Sequence, residues 1–330
     1  MSQNRRGNFL KILIFGGLGL LLAWLSLRSI PFDALKLHFT QAKYSWVLLA
    51  IVIGFLSHLL RALRWNQLLQ PLGYRVSLPN ALGAILVGYL FNLAIPRSGE
   101  VARCGIVQSY DGVPMQTSIG TVVLERIIDM VFLLLAFALT FILEFERIFA
   151  YANQTIFQPL NTFSQNTWFY PAVIILAIAG FVGFYFVFIR KPKGEAPKSK
   201  FVGLVLGFID GLKSITKIEK PFLFIAYSAG IWVLYYLMLY VGFFAFESLQ
   251  NVSPAAALAA FSFGTIAMII TPGGIGAYPI LIGNILALYG VPVDLGNSFG
   301  WIIWGAQTIM FIVTGAISLL TLPILNTKKA

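Results

Sequence analysis

The chain has 330 residues, 58% of them hydrophobic and 11% charged, and a net charge of +11. A mean hydropathy of +0.84 excludes a soluble domain and marks a polytopic membrane protein. A single cysteine, Cys104, excludes an internal disulfide. The two histidines, His38 and His58, and the lack of any HExxH, Walker or Gly-x-Ser-x-Gly pattern argue against a metalloenzyme, an ATP-driven pump or a serine hydrolase. No catalytic residue, metal site or cofactor is therefore expected, and the placement of the basic residues argues against nucleic acid.

Apolar runs of about 20 residues, enough to span a bilayer as a helix, occur near 9–27, 44–63, 116–143, 170–190, 221–246 and 298–324. The first is long for the core of a signal peptide and no A-x-A site follows it, so it reads as a retained helix. Two regions, 79–112 and 255–290, are apolar at both ends but broken at Pro96-Arg97-Ser98-Gly99 and at Pro272-Gly273-Gly274-Ile275-Gly276. Each arm is too short to cross comfortably, which predicts two re-entrant helical hairpins with their tips at membrane depth. Segment 191–220 opens on KPKGEAPKSK and continues into a stretch with Asp210, Lys213 and Lys217 among apolar residues. That is the pattern of a basic cytoplasmic linker leading into an interfacial amphipathic helix. Its basic residues fix topology and touch anionic headgroups.

Basic residues orient the spans. With Arg5, Arg6 and Lys11 cytoplasmic and both hairpins returning to the side they enter from, three basic clusters fall inside. They are the loop with Arg61, Arg64 and Arg75, the segment 190–220, and Lys328 with Lys329. Arg28, Lys36, Lys43 and Arg147 fall outside, and Arg97, Arg103 and Arg126 are embedded. The expected fold is an all-α polytopic membrane protein with about six full spans and two re-entrant hairpins. It forms a single integral membrane domain over 1–330 with both termini cytoplasmic. The order span, hairpin, span occurs at about 44–143 and again at about 221–324, entered from opposite sides. Such an inverted-topology repeat puts a transporter's binding site near the midplane.

The first hairpin carries NLAIPRSGEVARCGI, Asn92 to Ile106. Charged side chains at bilayer depth cost roughly 2.5–3.5 kcal/mol each on insertion scales, so these charges call for a reason. Ser98 stands where an N-cap would open the returning arm at Gly99. Gly273, Gly274 and Gly276 offer a second half-helix start where backbone can approach a ligand closely. Helix N-termini favour anions, phosphate above all, and arginines fork onto phosphate oxygens. With Arg97 at the hairpin tip and Arg126 roughly 15 Å into its own span, these parts compose a midplane anion site. In VVLERIIDM, Val122 to Met130, Asp129 follows Arg126 by one turn and Glu125 precedes it. Glu100, Arg103, Glu125 and Asp129 fit two roles equally: supports or a proton relay for that site, or a structural ion-pair knot between hairpin and span. His58 and Arg61 read as interface anchors, Tyr235, Tyr236 and Tyr240 as packing or an aromatic belt, and Cys104 as small packing.

NLAIPRSGEVAR, then VLERIIDM, then TPGGIGAYP resemble, in that order and over nearly the whole chain, the lysylphosphatidylglycerol synthase/flippase transmembrane family. Gly99, Glu100, Arg103, Glu125, Arg126 and Asp129 match its pattern. Arg97 stands one residue closer to Pro96 than the pattern has it. Tyr278-Pro279 occupies the place where many members carry Arg-Glu, which weakens any acidic role for the second hairpin. The resemblance implies a stand-alone flippase-like protein of the bacterial cytoplasmic (inner) membrane. Full-length synthases of the family carry a cytosolic aminoacyl-transfer domain after the membrane part. With this sequence ending at Lys328-Lys329-Ala330, no aminoacylation by this chain is expected, and it is not expected to be an enzyme.

The resulting expectation is transport of an anionic lipid, a phospholipid or a polyprenyl phosphate. Arg97, Arg126, Ser98, Gly99, Gly273, Gly274 and Gly276 would hold the phosphate. The competing expectation is a non-transporting scaffold or lipid-presenting partner of a cytosolic enzyme or glycosyltransferase, or a homo-oligomer, with 191–220 as its docking surface.

Overall fold

The computed structural model describes residues 21, 23–28, 30–95, 98–153 and 218–327. Most of the span expected near 9–27, the span near 170–190, the linker over 191–217, Pro96 and Arg97 at the hairpin tip, and the terminal lysines lie outside the described residues.

Hydrocarbon offers the backbone no hydrogen-bond partner, so a chain this apolar must satisfy its amides internally, as helices. A short helix α1 (Phe32–Gln41) leads into two successive sets of four. The first set is α2 (Tyr44–Leu69), α3 (Leu78–Ala94), α4 (Gly99–Asp111) and α5 (Met115–Ala152). The second is α6 (Pro221–Phe243), α7 (Pro254–Ile270), α8 (Ala277–Ala287) and α9 (Val293–Asn326). Among the described residues, four helical stretches are long and apolar enough to cross a membrane: Tyr44–Leu72, Met115–Ala150, Pro221–Phe243 and Val293–Asn326. They fall on four of the runs read from the sequence. The helices breaking at 95–98 and at 271–276 are shorter.

The two sets share local signals as well as order. Ser77 and Ser253 cap α3 and α7, accepting from Asn80 N at 3.3 Å and Ala256 N at 3.1 Å. Each helix has proline in its first turn and runs 17 residues. Gly112 (φ 68°) and Gly290 (φ 80°) end the short arms in the left-handed conformation that glycine adopts freely. A Val-Pro pair follows each, and proline at the threshold opens the next long helix.

Close helix contact rests on small residues, as is usual where apolar surface alone cannot drive association. A side chain at Gly99 would run into the Gly88 carbonyl and the Asn92 amide, so α3 and α4 touch backbone to backbone. Between α3 and α9, a Cβ at Gly315 would lie 2.7 Å from Leu90 Cβ and 3.0 Å from the Leu86 carbonyl. Farther along the same contact, Asn80 and Asn326 exchange amide hydrogen bonds at 3.0 and 2.9 Å, and Asn80 also donates to Asp111 at 2.8 Å. Between α5 and α7, Thr140 and Ser262 share a hydroxyl hydrogen bond of 3.0 Å beside a Phe137–Phe263 edge contact. At the opposite end of α2, Lys43 pairs with Glu247 at 2.9 Å and holds that exposed carboxyl below its usual range.

One expectation is corrected. Arg61 and Arg64 do not lie in a cytoplasmic loop: α2 continues to Leu69, and the two side chains are buried, 5% and 0% exposed. The helix can continue through them because acids on α5 compensate both charges. Chain contacts separate two units, 1–143 with 208–330, and 144–207. In the second, Glu144 leaves helical geometry (φ −129°, ψ 29°), Arg147 pairs with it at 3.6 Å, and Phe145 stacks on Phe149.

Gly315→Ala is expected to lower stability by about 1–3 kcal/mol through overpacking. Gly305→Ala, where nothing lies within 4 Å of the added Cβ, is expected to be neutral or stabilising by up to ~1 kcal/mol. Thermal unfolding of the two variants side by side in one detergent measures the difference.

Candidate functional site

The breaks in both hairpins border one cavity of about 1020 Å³. From the first hairpin come Asn92, Ile95, Ser98 and Glu100, and from the second Thr271 and Gly273. His58 and Arg61 of α2, Tyr89 of α3, Arg126 of α5, Tyr235 of α6, and Trp304 and Gln307 of α9 add further polar groups to the wall. Most of the remaining lining is apolar, the usual composition of a ligand pocket with a few convergent polar groups.

The first break is built differently from the simple N-cap expected at Ser98. Ser98 occupies the cap position, but its hydroxyl donates backward, to Ile95 O at 2.7 Å and Phe91 O at 3.0 Å, and caps no α4 amide. A residue that can satisfy the carbonyls left open at the end of α3 does so first. Asn92 caps α4 in its place, its Oδ1 accepting from Gly99 N at 2.8 Å. In the second break, Gly273 (φ 63°), Gly274 (φ 76°) and Gly276 (φ 69°) all take conformations that disfavour other residues. Trp304 fixes this turn by donating its indole N–H to Gly273 O at 2.6 Å.

Among the described residues, the charges of α2, α4 and α5 near the cavity form one connected network. Glu125, 2% exposed, pairs with Arg103 and lies 3.5 Å from Arg64. Asp129 binds Arg64 at 2.8 Å and Arg61 at 3.0 Å, and Arg126 approaches it at 3.8 Å. Arg126 pairs with Glu100 at 3.0 Å. Around this network, Arg103 lies over the Trp65 ring at 4.4 Å, Trp65 donates to Thr121 at 2.9 Å, and Arg61 donates to the Tyr89 hydroxyl at 2.8 Å. A charge removed from water is costly unless it is paired and hydrogen-bonded, and the Trp65 ring adds a cation–π contact to the guanidinium of Arg103.

Two grades of pair result. Arg103–Glu125 and Arg64–Asp129 are sealed inside, whereas the Arg126 side chain is 47% exposed and that of Glu100 30%. The network holds four guanidiniums, Arg61, Arg64, Arg103 and Arg126, against three carboxylates, Glu100, Glu125 and Asp129.

Of the residues expected at the site, Ser98, Glu100, Arg126 and Gly273 border the cavity. Arg103, Glu125 and Asp129 sit behind the wall in the network, Gly99 serves the α3–α4 contact, and Gly274 and Gly276 shape the turn. Arg97 lies outside the described residues. Sequence reasoning missed Arg61, Arg64, Tyr89 and His58. The available signal was Trp65, Leu68 and Leu69, which carry the buried face of α2 past the end of the unbroken apolar run.

Residues 8–315 match the family model described as Lysylphosphatidylglycerol synthase TM region, and the chain belongs to that family. It is 25% identical over 274 residues to a UPF0104 membrane protein of Methanothermobacter thermautotrophicus, a match covering 74% of this chain and 75% of that protein. A UPF0104 membrane protein of Methanocaldococcus jannaschii is 28% identical over 87 residues, 26% of each chain. Glycosyltransferase AglD of Haloferax volcanii is 28% identical over 123 residues, 36% of this chain. The match spans 20% of that glycosyltransferase. No solved structure matches.

Removing one member of a sealed pair leaves the other charge buried and alone. Arg103→Met is therefore expected to cost about 3–5 kcal/mol. Arg126→Gln, in a pair open to the cavity, is expected to cost ~1 kcal/mol or less. Unfolding temperatures of the two purified variants check the contrast.

Proposed function

We propose that this member of the family binds the phosphate of an anionic lipid in the cavity between its two hairpins and moves the headgroup across the membrane. The observation that carries the proposal is the excess of guanidinium beside the cavity: among the described residues four arginines of the network share three carboxylates, and the pair that faces the cavity, Arg126–Glu100, is the exposed one. A phosphate oxygen can take Arg126 from Glu100 and Asp129 with little loss, because one charge-assisted hydrogen bond replaces another. Arg97, placed at the hairpin tip by the sequence, shares that role. Glu100 and Asp129 are then the carboxylates that Arg126 leaves and rejoins. Arg103–Glu125 and Arg64–Asp129 hold the frame, and the turn at Gly273 lets backbone come close to the headgroup.

The mouth supports a lipid over a soluble anion. Ile95, Val101, Ile269 and Ile270 border the cavity and are 45–65% exposed. Acyl chains can stay in hydrocarbon beside these side chains while the headgroup enters. In this scheme the two sets of four helices are inverted repeats, the hairpins are re-entrant, and both termini face the cytoplasm of a cell whose inner membrane holds the protein. A phospholipid and a polyprenyl phosphate present the same chemistry to Arg126. No reaction is ascribed to the chain.

The sealed pairs favour a second possibility, a scaffold that presents lipid to a cytosolic enzyme or glycosyltransferase without transporting it. Reconstitution separates the two. Wild-type protein in vesicles is expected to speed the transbilayer movement of fluorescent phosphatidylglycerol. Arg126→Gln is expected to slow it by about tenfold or more, the worth of one charge-assisted contact, while stability falls by ~1 kcal/mol or less. Equal rates with and without protein would favour the scaffold.

A further inference from the structure

His58 is 1% exposed, and neither of its ring nitrogens has a hydrogen-bond partner among the described residues. Three aromatic rings enclose it: Tyr89 at 4.7 Å, Phe311 at 5.3 Å and Tyr235 at 6.1 Å between centroids. Packing alone gives no reason for an imidazole there. A phenylalanine would fill the same space without burying two polar atoms, and an unsatisfied buried polar group costs stability. His58 nevertheless forms part of the cavity wall, and so does Arg61 one turn farther along α2.

Arg61 is poised in the same way. Its two terminal nitrogens are engaged by Tyr89 and Asp129, while its Nε is buried with no partner among the described residues. One turn apart on α2, then, stand an N–H of Arg61 and an imidazole that offers a second N–H. A group with several acceptor oxygens on one atom satisfies both at once, and phosphate is that group.

We infer that His58 and Arg61 form an inner phosphate subsite, deeper in the cavity than Arg126. This inference rests on the lipid-phosphate role proposed above. Asp129 connects the two stations, at 3.0 Å from Arg61 and 3.8 Å from Arg126. A phosphate that leaves Arg126 for the inner subsite meets the open donors there while Arg126 rejoins Glu100 and Asp129, so the headgroup advances without leaving a bare charge behind. His58 contributes a donor that is satisfied only when the phosphate arrives, so its unpaired state raises the energy of the empty cavity relative to the filled one.

The test uses His58→Phe and His58→Gln in the purified full chain. Phosphatidylglycerol is titrated in detergent, bound lipid is read by native mass spectrometry, and the unfolding temperature is recorded. His58→Phe is expected to unfold at the wild-type temperature or above while binding about tenfold less phosphatidylglycerol. His58→Gln, which keeps an N–H donor, is expected to retain part of the binding. Wild-type binding by His58→Phe, or its failure to fold, would overturn the subsite, even with Arg126→Gln binding poorly. Absence of binding by the wild type would instead overturn the cavity's lipid role, and the subsite with it. Inorganic phosphate is the second probe. A rise in unfolding temperature that wild type shows and His58→Phe loses, without lipid binding, would assign the subsite to free phosphate and overturn the lipid source.

Discussion

Burying a network of charged side chains, seven of them among the described residues, in a helical membrane protein is the constraint from which the rest follows. Glu125 and Asp129 stand on one face of α5, and the arginines they attract come from two other helices, Arg61 and Arg64 from α2 and Arg103 from α4. The pairs therefore fasten a hairpin arm, its neighbouring span and the first span of the set into one assembly. Attraction between charges at close range grows as the surrounding dielectric falls, and so does the penalty for leaving one unpaired. Such a network works as a clasp: firm when complete and costly when any sealed member is removed. Arg126 belongs to it by its approach to Asp129 but sits where the clasp opens on the cavity.

The hairpins set this clasp beside a cavity. The short helices α3 and α7 stop beside the cavity, at Ile95 and Thr271, and the chain turns back through residues that tolerate unusual backbone or satisfy stray carbonyls. Because Gly88 and Gly99 let α3 and α4 touch, the returning arm stays close and brings Glu100 to the cavity and Arg103 to Glu125. Trp304 anchors the opposite turn from α9. The cavity is thus bounded by two backbone turns and a charge network, with apolar side chains at its mouth. This combination fits a molecule with a phosphate at one end and hydrocarbon at the other.

Much of this is legible in the sequence. The four long helices and both breaks follow from apolar runs and from the Pro-Arg-Ser-Gly and Pro-Gly-Gly-Ile-Gly stretches, since backbone in hydrocarbon leaves few alternatives to a helix. The acids and arginines of the hairpin and of VLERIIDM stand out because each is expensive where it sits. What escapes is the extent of α2. A window that asks for unbroken hydrophobicity ends a span at the first charged turn, and it puts Arg61 and Arg64 in a loop on that ground. Their partners lie more than sixty positions away in the chain, and no local pattern reports such pairing. Ser98 misleads for a related reason: a serine before a helix usually caps it, but here the preceding helix leaves carbonyls that compete for the same hydroxyl. Ser77 and Ser253, with the Gly-Val-Pro at 112–114 and at 290–292, mark equivalent points of the two sets once the helices are matched by order.

The central claim is that the cavity between the hairpins holds a lipid phosphate. A cryo-electron microscopy structure of the wild-type protein in nanodiscs of native lipid tests it most directly. Headgroup density is expected inside the cavity, with a phosphate within hydrogen-bond reach of Arg126 or Arg61 and acyl chains leaving past Ile269 and Ile270. A cavity filled only by acyl chains, with Arg126 still paired to Glu100, would contradict it.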